Sequence, residues 1–284
     1  MLYTSHAIFT VLSVVYGVSM LDIYIADMSL HGILIFSTEQ RPSLAGEGGA
    51  VISTCYYIHN YPLIYGFMGV SAEAYAVIPS LHFRFYEQIK NEVPEIASEP
   101  LHYGLVERLI KNLLEGREGI YVYPAQPLRI TTKKFFMRAK GSGYADFQGA
   151  LKNVYPRIVH YVAITPPSEF RTIVLALKKK LPKELYIRIG MKRMGLFKIR
   201  LREAKVEDMI DASAWSSIPV NLYDINQFGY SSADDFIKVL ETRSKPLNKP
   251  TASVIGYIKT RDLFIIRDGF SELRIPLPQK LLRK

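Results

Sequence analysis

The sequence predicts an α+β fold, and three patterns carry this prediction. In Leu181–Lys205, two short stretches alternate apolar and polar residues, with glycines between them. A period of two is typical of strands with one buried and one presented face, so this stretch predicts a β-hairpin. A similar alternation in Leu21–Phe36 predicts a core strand. Leucines at helical spacing in Leu101–Glu115, followed by Gly116, predict an amphipathic helix and its end.

Length and composition limit the classes of protein to consider. A chain of 284 residues with 49% hydrophobic residues can bury a full core, as one large domain or two small ones. The single cysteine, Cys55, excludes an internal disulfide and fits a reducing, cytoplasmic setting. The sequence has no Cys/His cluster with zinc spacing, no phosphate-cradling glycine loop and no serine elbow. We therefore predict neither a metal nor a cofactor.

The positive charge of the chain is concentrated in one region. The net charge is +10, and Arg171–Lys205 alone holds twelve Lys or Arg against two Glu. The rest of the chain is therefore neutral, and the excess is local. A localised basic patch is typical of a protein that binds a phosphate backbone. The alternative left open is a solvated hairpin whose Lys and Arg protect an edge strand.

Residues 1–19 are apolar but fit neither of the usual N-terminal signals. The first charged residue is Asp22, so the cationic start of a secretory signal is missing. Polar residues such as Thr4 and His6 interrupt the run of about 20 apolar residues that a membrane span needs. We interpret 1–19 as an appendage or an over-extended start site, and 20–284 as the domain. An alternative is that this segment and a basic face anchor the protein to a membrane surface.

The aromatic-rich segment 55–69 has His59 and Asn60 at its centre, and Pro62 suits the start of a helix. His59 fits a general base, a base-stacking partner or a satisfied core residue. RNA cleavage without metal needs only a base, an acid and a positive charge, which His59, Tyr65 and a nearby lysine would supply. A metal-independent ribonuclease is therefore an alternative function.

A second basic segment lies between two predicted strands, Ile120–Tyr123 and Ile158–Ile164. Arg129–Lys140 holds five basic residues and no acidic ones, with Phe135 and its apolar neighbours in the middle. Apolar side chains flanked by Lys and Arg can wedge or stack bases while the cations hold phosphates. The alternative is an ordinary amphipathic hairpin with Phe135 in the core.

The C-terminal part is expected to mix helices and strands. We predict a helix in Val206–Ser213 and another in Ser231–Thr242, where a serine N-cap and the acidic pair Asp234 and Asp235 suit a first turn. A proline-bearing linker follows at Lys245–Pro250. Beyond it we predict two strands joined by a polar turn, Ser253–Lys259 and Leu263–Ile266.

Four motifs in this order resemble a known family. They are IHNYPLIYGF at 58–67, YVYPAQPLRI at 121–130, KNVYP at 152–156 and PKELYIRIGMKRM at 182–194. Together they resemble the CRISPR-associated RAMP proteins of the Cas-five family, and in particular the type I-D effector subunit. The resemblance covers roughly residues 20–205.

This resemblance implies a fold, a function and partners. The implied fold is a ferredoxin-like, RRM-type (RAMP) domain with a basic β-hairpin thumb and extra C-terminal strands. The implied function is a non-catalytic cap that binds the 5′ handle of the guide RNA (crRNA) in the surveillance complex, Cascade. The implied partners are the backbone RAMP subunit and the large subunit, near the point where target DNA enters, with contact to that DNA left open and no membrane. One branch of the family processes guide-RNA precursors, so an endoribonuclease acting on CRISPR repeat RNA is the alternative.

The predicted RNA-binding residues come from the motifs and from the two basic segments. We assign no catalytic residue, and we expect charge reversal at Lys192 and Arg193 to weaken RNA binding and flatten its salt dependence. The resemblance supplies His59, Asn60, Tyr61, Lys152, Asn153, Tyr155, Arg188, Gly190, Lys192 and Arg193. The basic segments supply Arg129, Lys133, Lys134, Arg138, Lys140 and Lys198.

Overall fold

The structure is a computed structural model. It describes residues 21–35, 50–53, 56–69, 101–139, 157–190, 193–210, 212–228, 235–241, 254–268, 271–277 and 281. The predictions for the extension 1–19 and for the linker Lys245–Pro250 lie outside the described residues.

The described elements are mostly strands with a few helices, which confirms the predicted α+β class. The helices are α1 (Asn60–Met68), α2 (Leu101–Leu114) and α3 (Leu222–Gln227). The strands of the first part are β1 (Leu21–Leu30), β2 (Ala50–Ser53), β3 (Gly119–Val122), β4 (Gln126–Ala139), β5 (Arg157–Leu177), β6 (Glu184–Ile189) and β7 (Gly195–Ala204). Those of the last part are β8 (Val206–Ile210), β9 (Ala214–Trp215), β10 (Val220–Asn221), β11 (Asp235–Glu241), β12 (Val254–Thr260), β13 (Leu263–Asp268) and β14 (Ser271–Pro276).

A seven-stranded sheet organises the molecule, and its order is β2-β5-β1-β7-β6, with β3 and β4 also paired to β5. Strand β1 lies between two antiparallel neighbours, so that Met28 is opposite both Phe170 of β5 and Ile199 of β7. The long strand β5 pairs with β4 over most of its length and with β2 in parallel near its start. This strand order does not confirm the ferredoxin-like arrangement, which stays a prediction.

The hairpin predicted in Leu181–Lys205 is confirmed. Strands β6 and β7 pair antiparallel, with Ile187 opposite Phe197. The inward positions of both strands are buried, among them Ile187, Phe197 and Ile199, whereas Tyr186 and the basic residues between them face outward. The period-two pattern therefore identified both the strands and their buried face.

Two helix predictions in the C-terminal part are wrong. Val206–Ile210 forms β8, which pairs with β13, and Asp235–Glu241 forms β11, which pairs with β12. Asp235 therefore starts a strand and does not lie in the first turn of a helix. The local capping signal is weaker than the hydrogen bonds and packing that a neighbouring strand provides, and the Phe, Ile and Val of β11 suit a strand.

The two tail strands, β12 and β13, are confirmed, but they belong to different sheets. β12 pairs with β9, β10 and β11, whereas β13 lies between β8 and β14. The turn at Thr260–Asp262 thus passes the chain from one sheet to the other. None of the helices in the described part of the chain is long and apolar enough to cross a membrane.

One apolar core spans the first and last parts of the chain. Tyr121 and Phe170 of the main sheet belong to the same buried cluster as Ile225 of α3, Ile258 of β12 and Ile275 of β13's partner strand β14. The phenol of Tyr123 also donates a hydrogen bond to the carbonyl of Pro276. The C-terminal sheets are thus packed against the main sheet through shared apolar contacts.

Candidate functional site

One side of the main sheet carries a row of charged and aromatic side chains across five strands, from β4 to β6. Cross-strand partners project from the same side of a sheet, and the pairs Arg129–Glu169, Glu169–Ser29, Ser29–Lys198 and Lys198–Tyr186 form one continuous row. We call this surface the charged face. Its residues are Asp27, Ser29, Arg129, Glu169, Arg171, Glu184, Tyr186, Arg188, Lys198, Arg200 and Arg202.

Internal ion pairs order part of the charged face. The Asp27 carboxylate accepts from Arg171 Nε at 2.7 Å and from an Arg202 terminal nitrogen at 2.6 Å. A terminal nitrogen of Arg129 lies 3.0 Å from Glu169 Oε1. These pairs fix the direction of several guanidinium groups, which lowers the entropy cost of binding a ligand with them.

The charged face remains cationic after this pairing. It contains six Lys or Arg but only three carboxylates. Arg188 and Arg200 are exposed and form no ion pair within the described part of the chain. The next residues on the same side of the sheet, two positions before Asp27 in β1 and opposite it in β5, are the buried side chains of Ile25 and Ile173. The charged face thus ends where the apolar core begins.

A three-residue cluster, Glu184, Tyr186 and Lys198, lies at the β6 end of the charged face. The Lys198 ammonium is 2.9 Å from Glu184 Oε2, and the Tyr186 hydroxyl donates to Glu184 Oε1 at 3.0 Å. Lys198 Nζ also lies 5.8 Å from the centre of the Tyr186 ring. The hydrogen bond from Lys198 lowers the pKa of Glu184, and the same bond raises the pKa of Lys198. Both groups therefore stay charged at neutral pH.

Sequence reasoning missed Tyr186 as a site residue. Tyr186 is 59% exposed, which is unusual for a large aromatic residue in a strand. The available signal was its outward position in the alternating pattern of β6, two residues before Arg188 on the same face of the strand.

The second basic segment forms the β4 side of a long ribbon with β5. Lys133 and Lys134 are exposed, and Phe135 is half-buried, opposite Tyr161 of β5. Lys133 Nζ lies 5.9 Å from the centre of the Phe135 ring. Arg138 lies in the same strand, but its side chain is outside the described part. The ribbon and the hairpin thus belong to one sheet, joined through β5 and β1.

The glycines of the β6–β7 turn are required by close packing. Gly190 has φ +81°, and a Cβ there would lie 2.8 Å from Leu34 Cδ1 and 3.0 Å from the carbonyl oxygen of Ile35. A Cβ at Gly195 would lie 2.9 Å from Leu34 Cδ1. Arg193, also at positive φ, donates its N–H to the Gly190 carbonyl at 3.0 Å and is exposed. The turn is therefore held against the segment that follows β1.

The IHNY motif forms the start of α1 and lies beneath the surface. Asn60 is fully buried and donates to Asp224 Oδ2 at 2.6 Å, and it accepts a hydrogen bond from Asn221 at 3.2 Å. The hydroxyls of Tyr61 and Tyr121 each donate to Asp224 at 2.8 Å. The motif thus ties α1 to α3, at a distance of 164 residues along the chain.

The carboxyl group at the centre of this network is shifted towards the neutral form. Burial raises the pKa of Asp224 to about 6, although the hydrogen bonds from Tyr121, Tyr61 and Asn60 oppose part of that rise. Burying a carboxylate without a cation is costly unless donors surround it. Three donors from two separate parts of the chain meet this need.

His59 is the N-cap of α1, and its Nδ1 accepts the backbone N–H of Tyr61 at 3.1 Å. The His59 side chain is only 5% exposed and packs edge-on against the Tyr61 ring. Burial also raises the pKa of Tyr65, the acid in the ribonuclease alternative. The side chains of His59, Asn60 and Tyr61 are buried and engaged within the fold, and their direct contact with RNA stays a prediction.

The remaining predicted site residues divide by position. Arg129, Arg188, Arg193 and Lys198 lie on or beside the charged face, and Gly190 shapes the turn. Five predicted RNA-binding residues lie outside the described part of the chain: Lys140, Lys152, Asn153, Tyr155 and Lys192.

Comparison with known proteins gives the class of this protein. The family model described as type I-D CRISPR-associated protein Cas5/Csc1 matches residues 21–268, which is most of the chain and includes every C-terminal strand except β14. The chain therefore belongs to the type I-D CRISPR-associated Cas5/Csc1 family. This confirms the resemblance and extends it beyond residue 205, where the resemblance read from the motifs ended.

Two other comparisons add little. A crystal structure of a CRISPR protein from Archaeoglobus fulgidus is 10% identical, with a TM-score of 0.36, and the match covers 91% of this chain and all of the other. This likeness is too low to support a statement about the fold. No curated protein matches the sequence.

Proposed function

We propose that this protein is a guide-RNA-binding subunit of a CRISPR type I-D surveillance complex, and that it holds RNA without cutting it. In this proposal it caps the 5′ handle of the guide RNA and contacts the backbone RAMP subunit and the large subunit, near the entry of target DNA. Membership of the Cas5/Csc1 family supports the setting. The single observation that carries the RNA-binding role is the cationic excess of the charged face.

The physical chemistry of the charged face suits a phosphate backbone. Guanidinium groups bind phosphate oxygens through parallel hydrogen bonds and stay charged at every physiological pH. Arg188 and Arg200 are exposed, and neither has a carboxylate within ion-pair distance in the described residues. Lys133 and Lys134 add two more exposed cations on the β4–β5 ribbon of the same sheet. An extended single strand would bring its phosphates to successive cations along these strands.

The test is a double charge reversal, Arg188→Glu with Arg200→Glu, measured by fluorescence anisotropy on RNA that carries a repeat-derived 5′ handle. Each lost phosphate contact reduces the slope of log K against log salt by about 0.7 for a single strand. We therefore expect weaker binding and a slope that is smaller by about 1.4.

The matched control is Lys111→Glu with Arg117→Glu, at and after the end of α2, where the side chains are 73% and 70% exposed. This pair changes the net charge equally but lies off the charged face. Equal losses in both variants would reduce the effect to net charge and contradict the proposal. RNA with a scrambled handle tests the finer claim: equal affinity for both RNAs would remove the specific capping role.

A further inference from the structure

We infer that the exposed ring of Tyr186 is a stacking platform for one nucleobase of the bound strand. This inference rests on the proposed function and names one contact within it. The argument starts from exposure. An aromatic residue that is 59% exposed in the middle of a strand leaves apolar surface in water, and covering that surface is favourable.

The ring is held in place before any ligand arrives. Its hydroxyl donates to Glu184 at 3.0 Å, and the Lys198 ammonium lies 5.8 Å from the ring centre while it is paired with the same carboxylate. Two contacts on one side chain restrict both of its torsions. A ligand that stacks on a ring already fixed loses less conformational entropy than one that must order it.

The surroundings of the ring select a nucleotide over an apolar ligand. Lys198 lies directly opposite Tyr186 across the β6–β7 pair, and Arg188 lies two residues further along the same side of β6. Arg200 is the diagonal neighbour, opposite Glu184. A planar aromatic surface bordered by cations matches a base with its attached phosphates. An apolar protein side chain would use the ring but would offer no anion to Arg188 and Arg200, which form no ion pair within the described part of the chain.

The strand position also suits stacking. Strand β6 is an edge strand of the main sheet, so its outer edge has no neighbouring strand in the described part of the chain. A base can therefore approach the ring without displacing another strand.

The experiment measures the binding affinity of two proteins, wild type and variant, for two ligands, one with bases and one without. The full chain is used in every measurement. The variant is Tyr186→Ala, and the two probes are an oligoadenylate and an abasic ribose-phosphate strand of the same length. Stacking needs a base, whereas phosphate contacts do not. We expect Tyr186→Ala to weaken binding of oligoadenylate roughly 5- to 100-fold and to leave the abasic strand unchanged. The salt slope should not change, because no cation is removed.

Two further variants serve as controls. The first tests whether the hydroxyl of Tyr186 is needed, and the second tests whether loss of any exposed tyrosine has the same effect. Tyr186→Phe keeps the ring and loses only the bond to Glu184, so it should retain most of the affinity for oligoadenylate. Tyr56→Ala removes a tyrosine that is similarly exposed, at 53%, but belongs to no strand of the sheet, and it should bind both probes like the wild type.

The outcomes are distinguishable. Equal loss on both probes would show that Tyr186 acts through the phosphate contacts, and no loss on either would show that the ring does not contact the bound strand. Both results overturn the inference. If the wild-type protein bound neither probe at low salt, the proposed RNA-binding function itself would fail. If the wild type bound oligoadenylate and the Tyr186→Ala variant bound it with the same affinity, only the stacking contact would be overturned.

Discussion

At the scale of single residues, Asp224 shows how the fold stabilises a buried acid. Its carboxyl group is fully buried and receives hydrogen bonds from Asn60, Tyr61 and Tyr121. Burial nevertheless remains the largest influence, and the pKa of Asp224 rises from 3.8 to about 6. The group therefore links protonation to folding within a defined pH range.

This shift predicts a pH-dependent effect of Asp224→Asn. Because the pKa is higher in the folded state, the protonated carboxyl group stabilises the fold fully below about pH 4, and this stability is lost as the pH rises through about 6. Asparagine cannot ionise. The free energy of unfolding of the variant, relative to the wild type, should therefore rise by up to about 3 kcal/mol between pH 4 and pH 7. Urea denaturation at a series of pH values measures this difference.

Tyr121→Phe is the companion variant, since it removes one donor and keeps the carboxyl group. It should destabilise the protein by about 1–2 kcal/mol and move the pKa of Asp224 further upward. A difference between wild type and Asp224→Asn that stayed constant across this pH range would show that Asp224 titrates normally.

At the scale of elements, the β6–β7 hairpin depends on glycine for packing. The turn bends through positive φ at Gly190, and the glycine has no room for a side chain because Leu34 and Ile35 lie against it. Glycines in a basic turn are also typical of close approach to a ligand, so the sequence pattern fits two causes. The structure shows that packing alone is sufficient to require them.

Gly69 provides a control for this claim, because it has φ +65° but, apart from its chain neighbours and the backbone of its own helix, no atom of the described residues lies within 4 Å of the position that a Cβ would take there. Alanine at either site adopts a left-handed conformation that costs about 1 kcal/mol, but only Gly190→Ala also overpacks. We expect Gly69→Ala to lower the free energy of unfolding by about 1 kcal/mol and Gly190→Ala by about 2–4 kcal/mol. Urea denaturation of both variants measures these values. Equal losses would mean that the contacts with Leu34 and Ile35 relax at little cost.

At the scale of the whole molecule, the first and last parts of the chain complete each other. Asn60 and Tyr121 depend on Asp224, and Gln126 accepts a hydrogen bond from Tyr257 at 3.0 Å. The apolar cluster is continuous across the same boundary. Each part would expose apolar surface and leave buried polar groups without partners if the other were removed.

We therefore expect a chain that ends at Lys205 not to fold. It lacks Asp224 and the apolar side chains of the C-terminal sheets that cover the main sheet. Circular dichroism and urea titration should show no cooperative transition. The control is a chain that begins at Met20, which keeps every described residue and should unfold cooperatively. A stable, cooperative 1–205 fragment would contradict the dependence of the main sheet on the C-terminal part.

Much of the main sheet could be predicted because its signals are local. Strands β6 and β7 follow a period of two, and α2 follows a helical period with Gly116 after its end. Strand β1 was also predicted, although its residues Ile23 to Ala26 are buried on both faces. Such patterns record which side of an element is buried, whatever covers it. The excess charge of Arg171–Lys205 likewise led to the surface that carries the proposed function.

The rest depended on contacts between distant parts of the chain. β8 and β11 are strands because β13 and β12 pair with them, and the burial of Asn60 depends on Asp224, 164 residues away. The charged face exists because the sheet brings Arg129, Lys198 and residues between them into one row.

The sequence by itself therefore determined the local elements, the basic character and the family resemblance. Only the tertiary structure decided that the IHNY motif lies inside and that Tyr186 is exposed. The physical reason is that periodicity and composition act between neighbours in sequence, whereas burial, pKa and hydrogen-bond partners are set by groups that meet only after folding.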